Sequence, residues 1–487
     1  EVDGTPNKFK LSYLGKDGVK FDVFSRTNTG AYDYTQPPFK SGKSTITAPG
    51  PTYETLDLPS TTTAQTCFKL VPLSLCGARD FTKSIGEICT LPFTLTAGEK
   101  KNEISWTPYP IASGFQRYKI TRYEGTTAGT SKDLPVGALP IGSSSYTDSD
   151  GIKCGIDYLY RITADISGTG VTESSVSILK TIRGVSSSLP NPITYALAAA
   201  EYENYGQPDM KKKVVVSAVF NPANLEPTSD EATGELEHYN LYKVTNNVPI
   251  LLDATSRVRA INDYTADIDK QSYCYQLSWT NRCNVESAKT PTVCSVHLSA
   301  NGQVLNWTNE TPQSSNVLSY EVLAYNEPQV KNPIKQVDVN LNSNWLASLS
   351  ELPSSLGQRL YFQITTRPQV DINGQSYSNI IEVYRPPVIQ VPSVFTPNGD
   401  GINDVFTLNG VYIKKVKMSI FDRWGNIIYK TETDNFDPTD PSFGWSGYMP
   451  NGELAKEDTY AYKMDIEDSD VTGPKKFVKE GAIVLMR

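Results

Sequence analysis

An all-β chain, built as a tandem of two-sheet sandwiches that ends in a different small sandwich, is the fold class this sequence predicts. Three observations predict it. One strand-like pattern recurs four times along the chain. Tyr (28) and Pro (32) are plentiful beside Ser, Thr, Asn and Gly, a composition suited to short strands and frequent turns. No segment carries the apolar spacing of a long amphipathic helix. At 487 residues the chain has length for three to five domains, and a hydrophobic fraction of 38% supplies their cores.

The recurring pattern reads Thr66-Cys67-Phe68-Lys69-Leu70, then Tyr158-Leu159-Tyr160-Arg161-Ile162, Tyr273-Cys274-Tyr275-Gln276-Leu277 and Leu360-Tyr361-Phe362-Gln363-Ile364. Large apolar residues alternate with variable ones, the period-two signature of a half-buried strand. Upstream of each lies an aromatic-led strand: Phe21–Phe24, Tyr118–Thr121, Tyr239–Tyr242 and Tyr320–Leu323. In two copies a strand ending in Trp106 or Trp307 comes before that. This order resembles the fibronectin type III module, an immunoglobulin-like sandwich, with Tyr158 and Tyr273 at the tyrosine-corner position. It predicts modules over 1–89, 90–186, 187–294 and 295–387, with a long polar loop at 222–235 in the third. The first opens on Lys8–Tyr13 at the Trp-strand position. A sandwich lacking its first strand leaves core face and strand edge uncovered, so further modules are expected upstream.

The net charge of −8 disfavours nucleic acid, whose phosphates call for a basic surface. No apolar run reaches the length of a transmembrane helix. Residues 1–4, Glu-Val-Asp-Gly, lack the basic and apolar regions of a signal peptide. The two histidines, His238 and His297, lie 59 positions apart, and Gly-x-Ser-x-Gly, His-Glu-x-x-His and phosphate-loop patterns are absent. Carboxylates are abundant, but a glycosidase pair needs a cleft that small sandwiches rarely provide. The chain is therefore expected not to be an enzyme, while aromatic and polar strips leave room for a glycan or another surface ligand.

Seven cysteines in a β-rich chain point to a disulfide framework. Cys67-x8-Cys76 and Cys274-x8-Cys283 share their spacing, and each set closes with a further cysteine, Cys89 or Cys294. In a type III sandwich the sixth and seventh strands form a hairpin. A hairpin pairing Cys67 with Cys89 turns near Cys76, and one pairing Cys274 with Cys294 turns near Cys283. The predicted bonds are Cys67–Cys89 and Cys274–Cys294, since a strand advances about 3.3 Å per residue and the tip lies too far from either base. Two readings stay open for the others. A Cys154–Cys283 bond would tie the second module to the third, with Cys76 facing a module outside this chain, or all three are free or buried thiols.

After Pro387 the pattern changes. Val391-Pro392-Ser393-Val394-Phe395-Thr396-Pro397-Asn398-Gly399-Asp400-Gly401-Ile402-Asn403-Asp404-Val405-Phe406 opens a new domain. Ile420–Asn426, Phe443–Gly447, Asn451-Gly452, Asp458–Tyr462 and Gly481–Arg487 follow in order. This set resembles the gliding-motility-associated C-terminal domain family, which serves type IX secretion in Bacteroidetes. The segment Asp434–Ser442 departs from the family as an insert. The resemblance implies a sorting domain over 388–487 that routes a folded passenger through the type IX translocon. It also implies retention at the cell surface by an outer-membrane β-barrel of the PorP/SprF type. Passengers of such domains include large motility adhesins.

Asn398, Asp400, Asn403 and Asp404 gather four oxygen-bearing side chains within seven residues. Hard oxygen donors on a flexible loop suit Ca²⁺. The same residues suit a turn in which Asn and Asp bond their own backbone. For the whole chain two functions follow: the cell-proximal part of a motility or adhesion protein, or a secreted binding protein or enzyme whose active domain lies upstream.

Overall fold

A computed structural model of the protein describes residues 8–14, 18–27, 30–43, 53–59, 64–83, 87–110, 115–167, 172–219, 234–313, 316–327, 332–346, 353–369 and 374–487. The fold is all-β, and helical turns among these residues are short 3-10 pieces such as Phe81–Lys83. None is long and apolar enough to cross a membrane. Two compact units form, one from Glu1–Pro192, Pro227–His238 and Trp279–Ala288, the other from Ile193–Glu226, Tyr239–Ser278 and Lys289–Arg487.

The first unit begins with Lys8–Leu14 paired antiparallel to Tyr53–Pro59. A four-stranded sheet accompanies it in the order Lys40–Lys43, Lys20–Thr27, Thr66–Pro72, Ile88–Cys89. The positions before Lys8, where the missing first strand would fall, lie outside the described residues. Next come three strands in the order Ser145–Asp148, Lys101–Trp106, Phe93–Gly98. The facing sheet runs Ser131–Leu139, Phe115–Glu124, Asp157–Ser167, and Asp157–Ser167 also pairs with Thr172–Val176 and Lys180–Arg183. Alternation decides which faces meet: Asn102, Ile104 and Trp106 are buried on one strand, and Phe115, Tyr118, Ile120 and Arg122 on another. A one-residue slip would turn these side chains to solvent.

Charge is buried in this core as well. Arg122 Nη1 donates to Asp148 Oδ2 (2.9 Å) and to Asp150 O (2.7 Å), and Tyr160 Oη donates to Asp148 Oδ2. Asp148 is fully buried, so its charge depends on these partners. The same device recurs at Asp263, which accepts from Lys243 Nζ (2.9 Å) and Tyr275 Oη (2.7 Å).

The second unit holds a sheet ordered Tyr195–Glu203, Lys211–Val219, Ala260–Asp263. Ala218 stands where Trp106 and Trp307 stand in their modules: its N–H donates to Arg259 O as theirs donate to Ser144 O and Ser343 O, and Val216 matches Ile104 and Leu305. A four-stranded sheet follows, Val248–Ser256, Leu236–Thr245, Cys274–Asn281, Val293–Cys294. The polar stretch predicted over 222–235 lies outside the described residues except for its last two positions. The fourth module repeats the plan: Leu298–Asn301, Val304–Trp307, Asn344–Leu346 on one side and Lys335–Asp338, Val317–Tyr325, Arg359–Pro368, Ile381–Tyr384 on the other. Tyrosine hydroxyls pin the corners: Tyr158 Oη accepts from Lys153 N (2.8 Å) and Tyr273 Oη from Asp267 N (3.0 Å).

The last domain differs. Val388–Gln390 pairs with Asn409–Val411, and five strands run Val394–Phe395, Lys476–Leu485, Asp458–Asp468, Ile413–Phe421, Ile427–Thr433. Val394–Phe395 lies parallel to the final strand, which it meets from the far end of the domain's sequence.

Candidate functional site

The C-terminal domain is organised around Trp445. Its ring is 1% exposed and meets Phe395 at 5.2 Å and Tyr460 edge-on at 5.0 Å. Its Nε1 donates to Tyr448 O (2.9 Å), so burial leaves no orphan donor. Phe406 and Trp445 exchange backbone hydrogen bonds of 2.8 and 2.9 Å. That approach explains Gly444: a Cβ there would lie 2.0 Å from Val405 Cγ1 and 2.8 Å from Phe406 O. Gly447 adopts φ +80°, and a Cβ there would sit 3.1 Å from Pro397 Cγ and 3.2 Å from Leu485 Cδ1. Three sequence blocks, around Pro397, Trp445 and Leu485, therefore converge at one end of the domain. Arg487 closes this end by donating from Nη1 to Ala455 O (2.8 Å).

The loop before Phe406 carries the four candidate metal ligands. Asp404 accepts Gly399 N at Oδ1 and Gly401 N at Oδ2, both at 2.7 Å, and these amides hold its carboxyl below the usual carboxylate range. Asn398 Oδ1 accepts Asp400 N (3.0 Å), and Asp400 Oδ1 accepts Ile402 N (2.8 Å). Asn403 takes φ +55°, and its carbonyl accepts Thr396 N (2.9 Å). Three of the four side chains are thus engaged with the backbone of their own turn. A second such turn follows at Asp422, whose Oδ1 accepts Trp424 N and Asn426 N and leaves Trp424 78% exposed. The insert at 434–442 is anchored by Phe436, edge-on to Phe443 at 5.3 Å.

The joint between the fourth module and this domain has no signature in the sequence. Arg359 Nη2 donates to Asp470 Oδ2 (2.7 Å) and Nε reaches both Asp470 oxygens at 3.1 Å, a bidentate arrangement. Asp470 also accepts Thr472 N (3.0 Å) and Thr472 Oγ1 (2.8 Å). Arg359, with Thr472, holds the Asp470 carboxyl far below the usual range. Beside it Tyr384 Oη donates to Asp468, Ser469 Oγ donates to Gln358 Oε1 (2.9 Å), and Arg385 lies over the Tyr412 ring at 5.0 Å. Partners 111 positions apart leave no local pattern from which the joint could be read.

The cysteines are placed as follows. Cys67 stands opposite Cys89 and Cys274 opposite Cys294, each pair bonded, with Cα atoms 3.9 Å apart. Cys154 is bonded to Cys283, and Cys76 is an exposed free thiol. Glu87 and Glu310 lie within metal-ligand reach of the first two bonds, but sulfurs spent in disulfides are not thiolate ligands. His297 Nδ1 is engaged with Ile268 O (3.1 Å).

Comparison with known proteins bears on the last domain. Residues 389–484 match the family described as CHU_C Type IX secretion signal domain. The chain thus carries a type IX secretion signal domain behind a row of β-sandwiches, and this signal marks it for handling by the type IX system and export to the cell surface or beyond. Among solved structures, the chain is similar to the chicken CNTN1 FN1–FN3 domains at 14% identity, covering 61% of this chain and 97% of that one, with a TM-score of 0.26. No curated protein matches it.

Proposed function

We propose that this chain is the cell-proximal part of a surface adhesin of the gliding-motility type, from a bacterium of the Bacteroidetes, with no catalytic role of its own. The sandwiches act as a spacer. The C-terminal domain acts first as the export signal and then as the anchor, retained by an outer-membrane β-barrel of the PorP/SprF type. The observation that carries this reading is the signal domain at 389–484, joined through Arg359 and Asp470 to a sandwich of the stalk type. Such a joint suits a domain that must bear load after export. The non-catalytic part rests on how the sandwiches use their polar groups: Asp148 and Asp263 are committed to buried structural pairs.

Deletion of 388–487 tests the export role. The truncated protein should remain inside the outer membrane, measured by protease shaving and fractionation, and normal surface levels would overturn the reading. Affinity capture with the intact C-terminal domain as bait should recover an outer-membrane β-barrel. Recovery of soluble proteins alone counts against anchoring.

A further inference from the structure

We infer that Cys76 is one half of an inter-module disulfide whose other half is a cysteine, followed by glycine, in a corner loop of another β-sandwich outside these 487 residues. The chain contains its own template. The hairpin tips of the first and third modules match residue for residue at an offset of 207 positions. Ser74 N donates to Ala78 O (2.7 Å) where Asn281 N donates to Val285 O (3.0 Å). Gly77 N donates to Ser74 O (2.8 Å) where Asn284 N donates to Asn281 O (2.9 Å). Asp80 N to Pro72 O (2.8 Å) is matched by Ser287 N to Trp279 O (2.9 Å). The bridges Leu73–Arg79 and Thr280–Glu286 also correspond, and so do the disulfides Cys67–Cys89 and Cys274–Cys294 at the strand bases.

At the same place in this frame, Cys283 is not free. It is bonded to Cys154, which sits in the loop leading to the tyrosine-corner strand of the second module. The residue before it, Arg282, presses on Gly155: a Cβ on Gly155 would lie 2.2 Å from Arg282 Cβ, so the loop must carry glycine after its cysteine. The first module puts Leu75 where the third puts Arg282. Leu75 is 109% exposed, an apolar side chain held wholly in solvent beside the exposed Cys76. The pair has the form of the Arg282–Cys283 contact with its partner removed. Six of the seven cysteines are already bonded, so the partner thiol is not in this chain.

Forming the bond converts two thiols to one disulfide with release of two protons and two electrons. The acceptor is an oxidised dithiol protein of the export route, whose own disulfide is reduced to two thiols in exchange.

The test is peptide mapping of the native surface protein, alkylated before lysis and digested without reduction. The expected result is the Cys76 peptide joined to a Cys-Gly peptide absent from this sequence, alongside the Cys154–Cys283 peptide as internal reference. A Cys76 peptide recovered alkylated, joined to Cys76 of a second copy, or carrying a small thiol would overturn the proposal. A second measurement uses the 487-residue chain alone. Unfolded without reductant, it should take up one alkyl label per molecule, at Cys76. Labels at Cys154 and Cys283 would remove the template and the proposal with it.

Discussion

Arg359→Ala should loosen the C-terminal domain from the module before it by about 2 kcal/mol. The substitution removes three N–H contacts to Asp470, at 2.7, 3.1 and 3.1 Å, and one to Glu382. Asp470 keeps its two bonds to Thr472, so its charge is not stranded. A hydrogen bond to a charged group contributes about 1.5–3 kcal/mol. The Arg359 side chain is 29% exposed, so water replaces part of what is lost and the middle of that range applies. Several domains unfold in this chain, so a single melting temperature would blur the effect. Amide hydrogen exchange over 458–475 reads the joint directly, and about 2 kcal/mol corresponds to roughly 30-fold faster exchange there. Asp470→Ala should act similarly, with a coupling energy of about 2 kcal/mol in the double-mutant cycle. The pair also sets a pH window. Asp470 is held below its unfolded value, so its contribution is complete above about pH 4 and fades as acid takes the solution below that. Unchanged exchange in Arg359→Ala, or zero coupling to Asp470, would show that the pair does not hold the joint.

Removing the Cys154–Cys283 bond by paired serine substitution opens a loop spanning 129 positions, for which chain entropy gives about 5 kcal/mol as an upper figure, and thermal unfolding should show a lowered transition for the first unit while other transitions stay put. Asp148→Ala should cost about 3–5 kcal/mol because Arg122 is left charged and buried, seen as earlier proteolysis of the second module, whereas Asp133→Ala on the exposed edge strand should cost little. Trp445→Ala should cost about 3–5 kcal/mol and reduce surface display along with folding of the C-terminal domain, measured by surface labelling. Because Asp404 is engaged by two amides, chelator should leave the melting curve unchanged; a lower transition on chelation that calcium restores would establish a metal on the 398–404 loop instead.

The features legible in the order of residues are local and periodic. Strand alternation in Phe115–Glu124 and Ile413–Phe421 shows in the order of residues because a pleated strand buries every second side chain. The ordered blocks from Thr396 to Met486 likewise point to the secretion domain, since turns and close approaches there demand particular residues at fixed places. Gly444 is legible only in part: its presence marks a tight point, but Val405 as the neighbour it spares had to come from the fold. The third module shows the limit from the other side. With Ala218 at the tryptophan position its second strand lost the aromatic mark, although Val214, Val216 and Ala218 are all buried. The long-range polar pairings, by contrast, are set by the packed fold. Arg359 with Asp470, and Arg122 with Asp148, are ordinary charged residues in sequence. Their partners are chosen by which strand ends and corner loops are brought together, and a charge carries no periodicity that names its counterion. The same holds for Cys154 and Cys283: spacing places each at an end of a module, and only packing brings their Cα atoms to 5.8 Å.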